Sequence, residues 1–168
     1  MAGPSLGRFL RMAAVVLTLQ ALPLADAGIA MALTLTSSAF QPGSAIPSKY
    51  TCEGDDISPP LAIDGVPAGA KSLALIMDDP DAPDPKAPKR VWVHWVVYNL
   101  PPDTKSLPEN AGEGGLPKGA VIGVNDRKQA AYHGPCPPIG RHRYFHKLYA
   151  LDIALLPALS PSPNSRRP

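Results

Sequence analysis

"VWVHWVVYNL", residues 91–100, decides the fold of this chain. Eight of its ten residues are β-branched, aromatic or leucine, the composition of a strand, and a strand sends alternate side chains to opposite faces. Val91, Val93, Trp95 and Val97 then share one face, and Trp92, His94, Val96 and Tyr98 share the other. Bulky side chains on both faces describe a central strand with His94 as its odd member.

Neighbouring stretches extend the pattern. "SLALIM", 72–77, is a short continuous apolar run read as a second buried strand, and "MALTLTS", 31–37, alternates Leu33 and Leu35 with threonines as a half-exposed strand does. "YFHKLYALDIALL", 144–156, begins as a strand, and its later part is equally compatible with helix. Proline makes up 22 of 168 residues, against a usual share of about 5%. With φ fixed and no N–H it belongs in turns and at strand edges, so long loops join short strands. There is no internal repeat and no amphipathic helix of convincing length. A mainly β, sandwich-like domain is expected.

The first 27 residues read as a secretory signal peptide. Arg8 and Arg11 precede an apolar block at 12–24, too short to span a bilayer, and Ala25-Asp26-Ala27 supplies a small-residue cleavage site. A periplasmic or secreted location follows, and no cysteine lies near the site to anchor a lipid. Residues 28–156 form one domain, and 157–168, rich in proline and serine, read as a disordered tail.

A net charge of +2 implies no polyanionic partner such as nucleic acid. The basic cluster "GRHRYFHK", 140–147, is isolated and is read as a local anion site. "IMDDPDAP", 76–83, does the opposite, ending an apolar run with three carboxylates and two prolines. A lone strand histidine is more often a satisfied core residue than a ligand-binding one. Here His94 shares a face with Trp92, while His142 and Tyr144 share one if the last strand starts at Arg141. The glycine and proline loop "AYHGPCPPIGRHRY", 131–144, lets backbone N–H groups approach a ligand closely. Imidazoles, a phenol and exposed N–H groups make an anion pocket.

"DDPDAP", "VHW" with "NLP", "GPCPPIGRHRYFHKLYALD" and "YTCEGDDISPPL" together resemble the phosphatidylethanolamine-binding proteins, in particular the bacterial branch described as Raf-kinase-inhibitor-like. The resemblance runs from Leu33 to Leu155. It implies a sandwich of two antiparallel sheets and a pocket for phosphate-like anions or phospholipid headgroups, without a cofactor or metal. Carried over residue by residue, Asp79, Pro83, Trp92, His94, Gly134, Cys136, His142 and Tyr144 line that pocket. Cys136 stands where many eukaryotic members have glycine. The family's C-terminal helix and strand have no counterpart after "LYALD", and "NDRKQAAYHG", 125–134, departs from the bacterial pattern.

A carboxylate facing a phosphate would repel it, so Asp79 is expected to accept a hydrogen bond from a histidine instead, with Pro80 and Pro83 stiffening the turn. Asp78 and Asp81 are expected to bond local backbone N–H groups. Enzyme readings are weaker. No G-x-S-x-G or H-E-x-x-H occurs. A Cys136–His142 hydrolase competes with a Cys52–Cys136 disulfide, favoured by export. A zinc site from His94, His142 and His146 lacks anything to fix His94 at ligand distance. Inhibition or regulation of a partner enzyme is the remaining alternative.

Overall fold

The computed structural model describes residues 32–154. The signal-peptide segment and the tail, with the question of helix beyond residue 154, lie outside those residues. Two antiparallel sheets form the body. One holds β1 (Thr34–Thr36), β2 (Leu61–Asp64) and β5 (Ser106–Leu107) in that order. The other runs β6 (Val121–Ile122), β4 (Trp92–Leu100), β3 (Ser72–Asp79) and β7 (Phe145–Leu151). Helical structure among the described residues is confined to two short 3₁₀ turns, Ser48–Tyr50 and Ala111–Glu113.

The core lies between the sheets. Leu73, Leu75 and Met77 of β3 are fully buried, as are Trp95, Val97 and Leu100 of β4, and they meet Leu61 and Ile63 of β2 and Leu107 of β5. Ala74 and Ile76 on the other face of β3 are only half-buried, so "SLALIM" is continuous in sequence but fully covered on one side only. β1 is half-exposed as its alternation predicts, with Leu35 turned to the core.

β4 is central, between β3 and β6, but it does not keep strict alternation. Met77 pairs with Trp95 and the next residue, Asp78, pairs with Val93, leaving His94 as an extra residue in a bulge. Both His94 and Trp95 are therefore buried, though simple parity separates them. A second register shift, between the Leu73–Leu100 and Leu75–Val97 pairs, includes Asn99 at φ 57 and returns Leu100 to the core. Bulges bend a strand and re-aim single side chains, and here the first one delivers a histidine to the end of the sandwich. Val91, grouped by parity with Val93, Trp95 and Val97, precedes the strand and is exposed.

Candidate functional site

The acidic turn at the end of β3 is the frame of the site. Asp79 is buried; its Oδ1 accepts the Asp81 N–H at 2.8 Å, and its Oδ2 lies 2.7 Å from His142 Nδ1. Asp81 accepts three bonds from Arg143, from the backbone N–H at 2.8 Å, Nε at 2.9 Å and Nη2 at 2.7 Å. Those hydrogen bonds hold the Asp81 carboxyl down at about 2. Asp78 pairs with Lys147. Each carboxylate of the turn thus takes a partner from the segment leading into and along β7.

This revises two expectations. Asp78 and Asp81 are not served mainly by local backbone; Asp79 makes the local turn bond, and the other two reach across the sheet. The basic cluster at 140–147 spends Arg143 and Lys147 on those carboxylates, so they are not a free anion site. A tight turn of like charges is stable here because its complement folds against it.

β7 begins at Phe145, so His142 and Tyr144 belong to the preceding loop and owe their proximity to its path, not to strand parity. Their rings stack at 6.4 Å between centroids, and Tyr144 meets His94 edge-on at 5.3 Å. Both His142 nitrogens are engaged, Nδ1 by Asp79 and Nε2 by the Ile139 carbonyl at 3.1 Å. His94 is different. Its Nδ1 donates to the His133 carbonyl at 2.7 Å, which fixes the tautomer and puts the lone pair of the neutral ring on Nε2. Burial, reinforced by the neighbouring His133, pushes its pKa below the usual histidine value, against the opposing pull of the carbonyl bond. Burial likewise raises the Tyr144 phenol, keeping it neutral.

These groups surround a cavity of about 520 Å³. Asp79, Pro83, Trp92, His94, Cys136, His142 and Tyr144 all line it. Gly134 instead sits behind the wall. Its N–H donates to Asp56 Oδ1 at 2.6 Å, and a Cβ there would fall 2.3 Å from the Tyr50 carbonyl oxygen. Gly134→Ala is therefore expected to cost about 2 kcal/mol through backbone displacement. Urea unfolding measures this, and an unchanged midpoint would contradict it. A larger groove of about 1010 Å³ lies beyond the wall formed by Cys136, Pro137, His142 and Tyr144, but His94 and Asp79 face the smaller cavity.

The wall is fastened to the loop at 48–56. A Cys52–Cys136 disulfide joins them, with Cα atoms 5.5 Å apart. The Tyr132 hydroxyl donates to the Tyr50 carbonyl at 2.8 Å, and Asp56 Oδ2 meets His133 Nδ1 at 2.9 Å. The expected disulfide is present, and Cys136 is bonded rather than free. His133 was not singled out from sequence. It lines the cavity and stacks nearly parallel on His94, with rings 5.9 Å apart. Its position just before the Gly-Pro step was the available signal. The divergent 125–134 loop is ordered by Asn125, whose amide donates to Ala131 at 3.0 Å, and by Asp126, which accepts the Val93 N–H at 2.8 Å. No group of three or more His, Cys, Asp or Glu side chains is placed to hold a metal among the described residues.

A family model described as phosphatidylethanolamine-binding protein matches residues 36–166, continuing past Leu155. The chain belongs to the phosphatidylethanolamine-binding protein family. Within it, a UPF0098 protein of Methanothermobacter thermautotrophicus is 56% identical over 124 residues, covering 73% of this chain and 79% of that one. The crystal structure of a homologue of the family from Chlamydia trachomatis superposes with a TM-score of 0.66 at 46% identity, covering 74% of this chain and 78% of the other. Escherichia coli YbcL, described as a new member of the mammalian family, gives 0.68 at 38%, covering 77% and 83%.

Proposed function

We propose that the protein is an exported binding protein whose cavity takes a phosphate-like anion, free or as a phospholipid headgroup. The observation that carries this is His94: its Nδ1 is fixed on a backbone carbonyl while its ring lines the cavity beside His133, His142 and Tyr144. A neutral ring presents a lone pair at Nε2, which repels a phosphate oxygen. A protonated ring presents N–H and forms a charge-assisted bond. Anion binding therefore draws a proton onto His94, and affinity should rise as pH falls toward and below the usual histidine range.

Titration with inorganic phosphate tests the proposal. Saturable binding is expected, with His94→Ala weakening it by about 1.5 to 3 kcal/mol while the protein stays folded. Absence of binding, or binding indifferent to His94, would count against it. The bonding of Cys136 to Cys52 leaves a Cys136–His142 hydrolase without its nucleophile. Export rests on the amino-terminal segment, and the expected mature N-terminus is Gly28. Mass spectrometry of the exported protein checks this, and Met1 retained in a soluble intracellular pool would exclude it.

A further inference from the structure

Three cationic side chains also line the same cavity: Lys89, Arg90 and Arg127. All three residues are exposed, which places them at its mouth. Lys89 and Arg90 lie between the acidic turn and β4, and the Arg90 guanidinium carbon sits 4.1 Å from the centroid of the Trp92 ring. Arg127 rides on the loop that Asp126 ties to Val93.

The ion pairs among the described residues belong to Lys49, His133, His142, Arg143 and Lys147, so these three cations have none. The carboxylates nearest the cavity are engaged elsewhere through at least one oxygen. Asp79 serves His142 and the Asp81 N–H, and Asp81 serves Arg143. Asp56 serves His133 and Gly134, and Asp126 accepts from Val93. With Lys89, Arg90 and Arg127 set against the single lining carboxylate, Asp79, the cavity and its mouth carry a net positive charge while the histidines are neutral. A zwitterionic headgroup seated in the cavity would bring its ammonium group against those cations at the rim.

We propose that the cavity selects phosphate ligands by net charge, favouring a terminal phosphomonoester with two negative charges and no ammonium group over zwitterionic diesters. This rests on the cavity being a phosphate site. Because the rim is solvent-exposed, each cation contributes modestly and is screened by salt, but all three act in the same direction. The shared chemistry is a terminal phosphate, which a soluble phosphomonoester and phosphatidic acid both carry.

The full chain is titrated at low ionic strength and slightly alkaline pH with glycerophosphoethanolamine, glycerophosphoglycerol and glycerol 3-phosphate, which carry zero, one and two net negative charges. Affinity is expected to rise about threefold or more at each step. That spread should shrink with added salt and in the Arg90→Gln/Arg127→Gln double variant. Vesicles of phosphatidylcholine with and without phosphatidic acid separate the sources: retention on the phosphatidic acid vesicles marks a lipid ligand, and binding of glycerol 3-phosphate alone marks a soluble one. Equal affinities, or a spread untouched by the double substitution, would overturn charge selection while leaving phosphate binding intact. Failure of all three ligands and of inorganic phosphate to bind would overturn the phosphate site itself.

Discussion

Replacing Cys52 and Cys136 together by alanine is expected to lower the unfolding free energy by about 4 kcal/mol. The two residues are 84 apart in sequence, so the bond removes much of the unfolded chain's freedom. A loss of that size is a large part of the roughly 5 to 15 kcal/mol that holds an ordinary domain together. The effect should reach the site as well, because Cys136 lines the cavity and the 48–56 loop braces the wall that carries it. Chemical denaturation of the oxidised protein and the double variant measures it. A loss below about 1 kcal/mol would mean that the loops are held by their hydrogen bonds alone.

The second large effect is acid lability set by His146. β7 places this residue opposite Met77, and its Nε2 is buried with no hydrogen-bond partner. Burial, assisted by His94, lowers its pKa to about 4. The unfolded chain binds the proton near the ordinary value of about 6.5, so between the two values the unfolded state holds more protons than the folded one. Stability is then fully present above about 6.5 and falls by about 3 kcal/mol as pH drops to about 4. The lowered His94 acts with the same sign. Asp81 does not share this window, because its pKa of about 2 keeps its contribution until more acid conditions. His146→Leu fills similar space without a proton to bind, so it should flatten this limb and cost little near neutrality. Unfolding curves across the range compare the two proteins, and an identical acid loss in His146→Leu would place the effect elsewhere.

The central strand was legible because ten residues of β-forming composition are a strong local signal. Its bulge was not, since parity carries no information about where a register slips, and the slip is what makes His94 and Trp95 both buried. β2, β5 and β6 run for two to four residues, too short for any periodicity to show. The cavity residues emerged from sequence through the combination of motifs, and the expected histidine partner of Asp79 is His142. What stayed hidden depends on long-range pairing. Asp56 and His133 are 77 residues apart, and Gly134 is required by a backbone that approaches it from residue 50. Asp78 and Asp81 looked like local turn residues because their partners come 69 and 62 residues later. Charge complementarity between "DDPD" and "RHRYFHK" was visible as composition, but only the β3–β7 pairing makes it a contact.

Proton uptake on ligand binding tests the central claim most directly. Calorimetric titration with glycerophosphoglycerol, whose own charge stays constant near neutrality, is run in two buffers of different ionisation enthalpy, on the wild type and on His94→Gln. Net uptake of protons at neutral pH is expected in the wild type, because the lowered pKa leaves His94 neutral until the anion arrives, and that uptake should be lost in the variant. Binding with no proton uptake, or uptake that persists without His94, would contradict it.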